Sequence, residues 1–238
     1  MRKQRIKPDC TIISELRYIR ISKCPVQIGL LILGTEEHIR RQAGLFKTAQ
    51  AQERPEETAR RYYELYENIW KDLEYFPIPQ WKEENLSVTY ENSWLFERTY
   101  GGTRGHEGTD LMPPENESGV YPVISISDGT VESVGWLEKG GWRIGVRSIH
   151  DVYFYYAHLS SYAEEFQKGD VIKAGQLLGY MGDTGYGKQE GTSGQFPVHL
   201  HLGIYLRNEE FAELAVNPYW FLRYLENCRL TVSRGASG

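Results

Sequence analysis

Short apolar segments separated by glycine-containing turns run from about residue 96 to residue 206, and this pattern restricts the fold more than any other feature. The apolar segment at residues 120–126 is followed by Asp128-Gly129, and Thr130 begins the next one. Asp-Gly between two such segments is a strong β-hairpin signal. A further turn follows at Lys168-Gly169-Asp170. The spacing predicts a mainly β domain, α+β overall, built as an antiparallel β-sandwich or barrel-like fold.

The N-terminal part has a helical pattern instead. Pro55 suits the first position of a helix, and the helix dipole favours the two glutamates that follow it. Apolar residues then recur at spacings of three and four: Tyr62, Leu65, Tyr66 and Ile69. The predicted organisation begins with a poorly defined extension (1–34), a helical segment (35–76) and a linker (77–95). The β domain (96–226) and a C-terminal tail (227–238) follow. We expect the helical segment to brace or space the β domain and to take no part in its chemistry.

Charge and hydropathy exclude several classes of partner. The net charge is −5 and neither half of the chain is basic, which argues against a nucleic-acid partner. The longest apolar run, residues 26–34, is too short to cross a bilayer, which takes about 20 residues, and it does not form a clear signal peptide. Cys10, Cys24 and Cys228 have unrelated spacings that predict neither a disulfide framework nor a thiolate zinc site, and their pairing stays open. The sequence gives no indication of the oligomeric state.

A His-x-His segment near the end of the β region carries side chains that could bind a metal or take part in catalysis. In an extended strand, His199 and His201 project to one face, while Val198, Leu200 and Leu202 form an apolar layer on the other. Two imidazoles on one face can bind one metal ion or act on one reacting atom. Taken alone, the pair is equally typical of a half-buried strand with two histidines.

Two other segments add to this pair. His106 and Asp110 lie four residues apart in a glycine-rich stretch that is unsuited to a helix, and His158 follows an aromatic strand. Two histidines and a carboxylate around zinc, with a fourth position open to water, are the composition of a hydrolytic site. Bound zinc lowers the pKa of water towards about 7, and further histidines suit acid–base catalysis near neutral pH.

Three motifs, in this order, resemble those of the lysostaphin/LytM-type zinc metallopeptidases: His-Glu-Gly-Thr-Asp at 106–110, Tyr-Ala-His-Leu-Ser at 156–160 and His-Leu-His at 199–201. The turns between them resemble the turn pattern of the same family, and the resemblance covers about residues 95–222. It implies the duplicated hybrid motif fold, a mostly antiparallel β domain with a cleft over one sheet.

The resemblance also implies roles for particular residues. It implies that zinc is held by His106, Asp110 and His201. It also implies that two groups transfer protons beside the metal-bound water, namely His158 and His199. Tyr100 lies six residues before His106, where the family places a tyrosine that can stabilise an oxyanion. The alternative for Tyr100 is an ordinary aromatic residue at the edge of the groove.

The implied function is a zinc-dependent endopeptidase that acts on peptide cross-bridges and stems of peptidoglycan, at an extracytoplasmic location. The loop at residues 182–197 is longer than is usual in the family and contains Tyr186 and Phe196. Loops beside a cleft determine which substrates fit, so the resemblance does not predict the preferred bond.

Two other functions are compatible with parts of the pattern. A catalytically silent relative could serve as a binding or scaffold protein of the cell envelope, although all five zinc and proton-transfer positions are filled. The turns also resemble those of lipoyl and biotinyl carrier domains, in which Lys173 would be the modified residue. The four histidines have no role in such a carrier.

Overall fold

The computed structural model describes residues 55–81, 87–207 and 213–232. The chain divides into two compact units, and Asp72 begins the described part of the second one. Helix α1 (Pro55–Asp72) starts at the predicted proline but ends four residues before residue 76. Its residues Tyr66 and Ile69 are buried, whereas the side chain of Tyr62 lies outside the described residues. The predicted extension at 1–34, with Cys10 and Cys24, also lies outside them, as do residues 35–54 of the helical segment.

The second unit consists mainly of short strands. Its described strands are β1 (Gln80–Trp81), β2 (Glu97–Arg98), β3 (Arg104–Gly105), β4 (Thr109–Leu111), β5 (Pro122–Ile124), β6 (Gly129–Leu137), β7 (Gly141–Arg147), β8 (Tyr153–Tyr162), β9 (Val171–Ile172), β10 (Leu177–Met181), β11 (Leu200–Leu206), β12 (Leu214–Val216) and β13 (Thr231–Val232). Helix α2 (Tyr219–Leu225) packs Phe221, Leu222 and Leu225 into the interior. No helix within the described ranges is long and apolar enough to cross a membrane.

Nine of these strands form one antiparallel sheet, which confirms the predicted mainly β fold. Its main path runs β12-β11-β8-β7-β6-β9, with β10 and β5 joined to β8 and with β4 joined to β11. Strand β11 has β8 along one edge, and along its other edge it has β4 first and β12 further on. This central position brings residues from three separate parts of the chain beside β11.

The two faces of the sheet have different roles, because side chains alternate along each strand. Leu200, Leu202 and Ile204 of β11 and Phe154 and Tyr156 of β8 are all buried on one face and form part of the core. The residues between them face a cleft on the other side. The cleft face therefore carries the polar side chains that the core could not hold without partners.

Glycine forms part of the cleft floor where a tyrosine ring lies against the sheet. A Cβ atom on Gly145 would lie 1.9 Å from the Tyr153 hydroxyl, so only glycine lets that ring lie across β7. The Tyr153 hydroxyl is also 2.5 Å from Oγ of Ser133 on β6. This part of the floor is therefore aromatic, with the Tyr153 hydroxyl held by β6.

Residues 73–81 and 87–95, which contain the described part of the predicted linker, make many contacts within the second unit. Phe76 and Ile78 are fully buried, and the carbonyl of Pro77 accepts a hydrogen bond from the Ile124 amide at 2.8 Å. Strand β1 pairs in parallel with β13, which lies in the predicted C-terminal tail. Cys228, beside this pair, is a free thiol. The domain boundary at residue 96 stays a prediction, and these contacts favour a start near Asp72.

A truncation series tests where the unit begins. A chain starting at Asp72 should be more stable than one starting at Glu91, because the shorter chain loses Phe76, Ile78 and the β1–β13 pair. Burial of a large apolar side chain contributes about 1.5–3 kcal/mol, so we expect a difference of several kcal/mol in the free energy of unfolding. Urea unfolding of both fragments measures it. Equal stability would place the boundary nearer residue 96.

Candidate metal centre

The His-x-His segment lies at the junction of three strands. His201 of β11 pairs with Asp110 of β4 on one side and with Ala157 of β8 on the other. Paired residues in a sheet point to the same face, so the imidazole and the carboxylate share the cleft side. Gly108 allows their close approach, since a Cβ atom there would lie 2.3 Å from Cε1 of His201.

Three atoms with lone pairs converge at this junction. Nε2 of His106 lies 3.0 Å from Oδ1 of Asp110 and 3.0 Å from Nδ1 of His201. Nδ1 of His201 lies 2.9 Å from the same carboxylate oxygen. Among the described residues, these three form a group whose ligand atoms lie within 4.8 Å of one another. A tetrahedral zinc with bonds of about 2.0–2.1 Å spaces its ligand atoms by about 3.3 Å, so this triangle fits such an ion after a small expansion.

The convergent atoms are held by neighbours that the sequence did not reveal. Nδ1 of His106 lies 3.3 Å from the carbonyl oxygen of Ser93, and a proton donated there leaves Nε2 free for a metal. Nη2 of Arg98 donates to Oδ2 of Asp110 at 2.7 Å and leaves Oδ1 at the centre. Burial raises the pKa of Asp110, but the polar interactions with His106 and His201 outweigh it and hold that pKa well below its usual range. The aspartate is therefore an anion.

The two other histidines lie beside this triangle. The imidazole rings of His158 and His199 have centroids 4.7 Å apart, and Nε2 of His199 is 3.8 Å from Oδ1 of Asp110. Nδ1 of His158 donates to the carbonyl oxygen of Thr184 at 2.7 Å, and Nδ1 of His199 donates to that of Pro197 at 2.8 Å. Both rings are thus oriented through one nitrogen, and Nε2 is left to exchange a proton in the cleft.

His158 lies within β8, and not after the strand as the sequence predicted. The register of β8 shifts next to it, and its φ angle is +63°. Such a bulge turns a side chain out of the regular alternation and is common beside functional sites. Burial, and then the nearby charges of His199 and His201, hold the pKa of His158 well below its ordinary value. The ring is therefore neutral at neutral pH.

Aromatic residues of the long loop cover these two histidines. The ring of Phe196 lies 4.6 Å from that of His158 and 5.1 Å from that of His199. Tyr186 contacts the edge of His158 at 6.1 Å, and Tyr100 stacks face to face on Tyr186 at 4.2 Å. The structure thus brings the five predicted zinc and proton-transfer residues together, whereas Tyr100 reaches His158 only through Tyr186.

A cavity of about 760 Å³ contains this cluster and continues along the sheet. His106, His158, His199 and His201 line one part of it, beside Phe196 and Tyr186. Tyrosines of β8 and β11 line the other part: Tyr153, Tyr155 and Tyr205. The polar cluster and the tyrosine floor form one continuous groove that can hold an extended chain across the convergent atoms.

Comparisons with known proteins are consistent with this geometry. The description "Peptidase family M23" belongs to the family model that matches residues 104–218, a range that contains the three convergent residues and both neighbouring histidines. A solved structure from Ruminococcus gnavus ATCC 29149, described as a candidate glycyl-glycine endopeptidase LytM, is 50% identical in sequence. The similarity covers 80% of each chain, with a TM-score of 0.65.

Curated relatives show the same similarity over shorter stretches. The L-Ala--D-Glu endopeptidase of Bacillus subtilis (strain 168) is 38% identical over 166 residues, which are 70% of this chain and 48% of the relative. Lysostaphin of Staphylococcus simulans is 42% identical over 114 residues, which are 42% of this chain and 22% of the relative. The chain thus spans less than half the length of these two curated relatives.

Proposed function

The chain belongs to peptidase family M23, and from this premise we propose that it is a zinc-dependent endopeptidase that hydrolyses peptide bonds in peptidoglycan. One observation supports this proposal most: three lone-pair atoms of His106, Asp110 and His201 converge beside two imidazoles that leave Nε2 free. Such a centre needs no serine or cysteine nucleophile. The proposed site of action is extracytoplasmic, where such a substrate lies.

In this proposal His106, Asp110 and His201 hold the metal. Zinc bound there would polarise the carbonyl of the peptide bond and lower the pKa of attacking water. Arg98 orients Asp110, and the Ser93 carbonyl orients His106, as partners of metal ligands commonly do. The burial of the centre strengthens each of these polar contacts.

His158 and His199 transfer protons in the same proposal. Because the pKa of His158 is depressed, its Nε2 is unprotonated near neutral pH and can accept a proton. Either imidazole could afterwards return a proton to the leaving amine. Tyr100 stays a predicted oxyanion group, and Tyr186 holds its ring in place.

The similar proteins suggest two classes of bond. The name of the Bacillus relative indicates a bond between L-Ala and D-Glu, and the description of the Ruminococcus structure indicates glycyl-glycine bonds. The first belongs to an acidic peptide, since a glutamate joined through one carboxyl group keeps the other free. The second belongs to an uncharged one. Both classes occur in peptides, and both fit a groove that holds an extended chain.

Digestion of purified peptidoglycan tests the proposal. We expect the zinc-loaded full chain to release soluble peptides whose masses identify the cleaved bond, and prior chelation should abolish the release. Two cell walls are compared, one with glycine cross-bridges and one with directly linked stems. Intact walls after treatment with zinc-loaded protein would instead favour the silent binding protein, which a sedimentation assay with the same walls would detect.

A further inference from the structure

The cleft carries an excess of positive charge in a chain whose net charge is −5. Among the described residues, five basic ones line it: Arg98, Arg104, Lys139, Arg143 and Lys168. Three acidic ones from the same ranges do so, namely Asp110, Glu132 and Glu213. A groove with an excess of positive charge indicates an anionic ligand, because a cleft lined by one sign of charge concentrates ligands of the opposite sign.

Two of the three acids are neutralised inside the unit. Asp110 accepts a hydrogen bond from Arg98, and Glu132 accepts two from Arg147, both at 2.7 Å. The third acid, Glu213, is exposed. The remaining positive charge of the cleft is therefore available to a ligand.

Arg143 and Arg104 are the two described arginines of the cleft lining that have a buried guanidinium nitrogen without a hydrogen-bond partner, and Arg143 lies on the sheet itself, in β7. Its Nη1 atom is buried and has no hydrogen-bond acceptor among the residues that the structure describes. Within the same ranges, no carboxylate lies within ion-pair distance of its guanidinium. A buried donor without an acceptor is costly, and a charged one more so. A substrate carboxylate would supply the acceptor that this side chain lacks.

The position of Arg143 relates it to the candidate metal centre. It lies between Trp142 and Ile144, where the register of β7 and β8 shifts, and it therefore opposes the bulge that contains His158. Ile144 is buried in the core, so alternation directs Arg143 to the cleft face. Strand β8 lies between β7 and β11, so the backbone of Arg143 is two strand spacings, or about 10 Å, from the backbone of His201. That distance corresponds to about three residues of extended peptide.

We propose that Arg143 binds a free carboxylate of the substrate within about three residues of the cleaved bond, and so selects acidic stem peptides over uncharged glycine bridges. The planar guanidinium can hold a carboxylate through two parallel hydrogen bonds, which gives direction as well as strength. This inference rests on the proposed peptidase function and assigns the specificity of the same site.

The test compares two synthetic peptides that differ in one group. One contains an L-Ala–D-Glu bond and a free α-carboxylate on the glutamate, and the other carries the carboxamide at that position. We expect the zinc-loaded full chain to prefer the acidic peptide by about 10- to 100-fold in kcat/KM. In Arg143→Gln this ratio should fall to about one. Arg143→Lys keeps the charge without the two-pronged geometry and should retain only part of the preference.

A matched control removes a positive charge elsewhere. Lys173 is exposed, pairs with Asp128 and lies outside the cleft lining, so Lys173→Met should keep both the activity and the preference of the unaltered chain. If Arg143→Gln fails to fold, as judged by thermal melting, Arg143→Lys decides the outcome. An unaltered chain that cleaves both peptides equally would overturn the carboxylate site and leave the peptidase function standing.

Binding measurements separate this inference from the function beneath it. If neither the peptides nor purified peptidoglycan is cleaved, the peptidase proposal fails, and calorimetric titration of the same peptides then tests the site alone. Cleavage of glycine-bridged walls without cleavage of either peptide would overturn the carboxylate site and leave the peptidase function standing. Tighter binding of the acidic peptide that disappears in Arg143→Gln would support the carboxylate site even in a silent protein. Equal binding of both peptides would overturn it.

Discussion

His201→Ala is expected to lose nearly all bound zinc, from about one ion per chain to a small fraction of that. The substitution removes one of three convergent ligand atoms, and it leaves Nε2 of His106 and one carboxylate oxygen, which cannot complete a tetrahedral site. Structural and catalytic zinc also stabilises the folded state by mass action, by about 2.7 kcal/mol when its concentration is 100 times the dissociation constant. The unaltered chain should therefore melt at a lower temperature after chelation, and the variant should not respond.

Elemental analysis of gently purified protein measures the zinc content, and thermal melting with and without chelator measures its contribution to stability. His150→Ala is the matched control, since Nδ1 of His150 lies 2.5 Å from Oδ1 of Asp72 and the ring contacts no atom of the triangle. It should retain zinc even if it lowers stability. Full zinc retention in His201→Ala would show that His201 is not a ligand.

The strand pattern made much of this site predictable. Alternation along Val198–Leu202 places two imidazoles on one face, and the structure has three buried aliphatic side chains on the other. What alternation cannot predict is which distant strand lies alongside. The pairing of His201 with Asp110 depends on β4 joining β11 across 91 residues, and such pairings are set by tertiary packing.

The parts that the sequence missed have physical reasons as well. Arg98 and Ser93 lie in a stretch without periodicity, so nothing local indicates that they contact Asp110 and His106. The bulge at His158 needs a positive φ angle at a residue that is not glycine, which no turn signal predicts. The long loop at residues 182–197 is unusual already in the sequence, but the contacts of Phe196 with two histidines depend on the three-dimensional fold.

His158→Ala and His199→Ala should each keep zinc and lower turnover by about 10²–10⁴-fold. Proton transfer by a positioned side chain contributes an effect of this size, and neither ring supplies an atom to the convergent triangle. Each ring is fixed through Nδ1 to a backbone carbonyl, so its loss removes a group that is already oriented for proton exchange. The fall should appear in kcat as well as in kcat/KM, because the step concerned follows substrate binding.

Steady-state kinetics on a soluble stem peptide, together with zinc analysis of the same samples, distinguishes the two roles. Phe196→Leu is a useful comparison, since it alters the aromatic contact with both rings and leaves their nitrogens in place. It should cost much less turnover than either histidine substitution. Loss of zinc in His158→Ala or His199→Ala would show that the substituted histidine is a metal ligand and not a proton-transfer group. An unchanged kcat in both variants would remove proton transfer by these imidazoles from the proposed mechanism, because no other histidine lies beside the triangle in the described part of the chain.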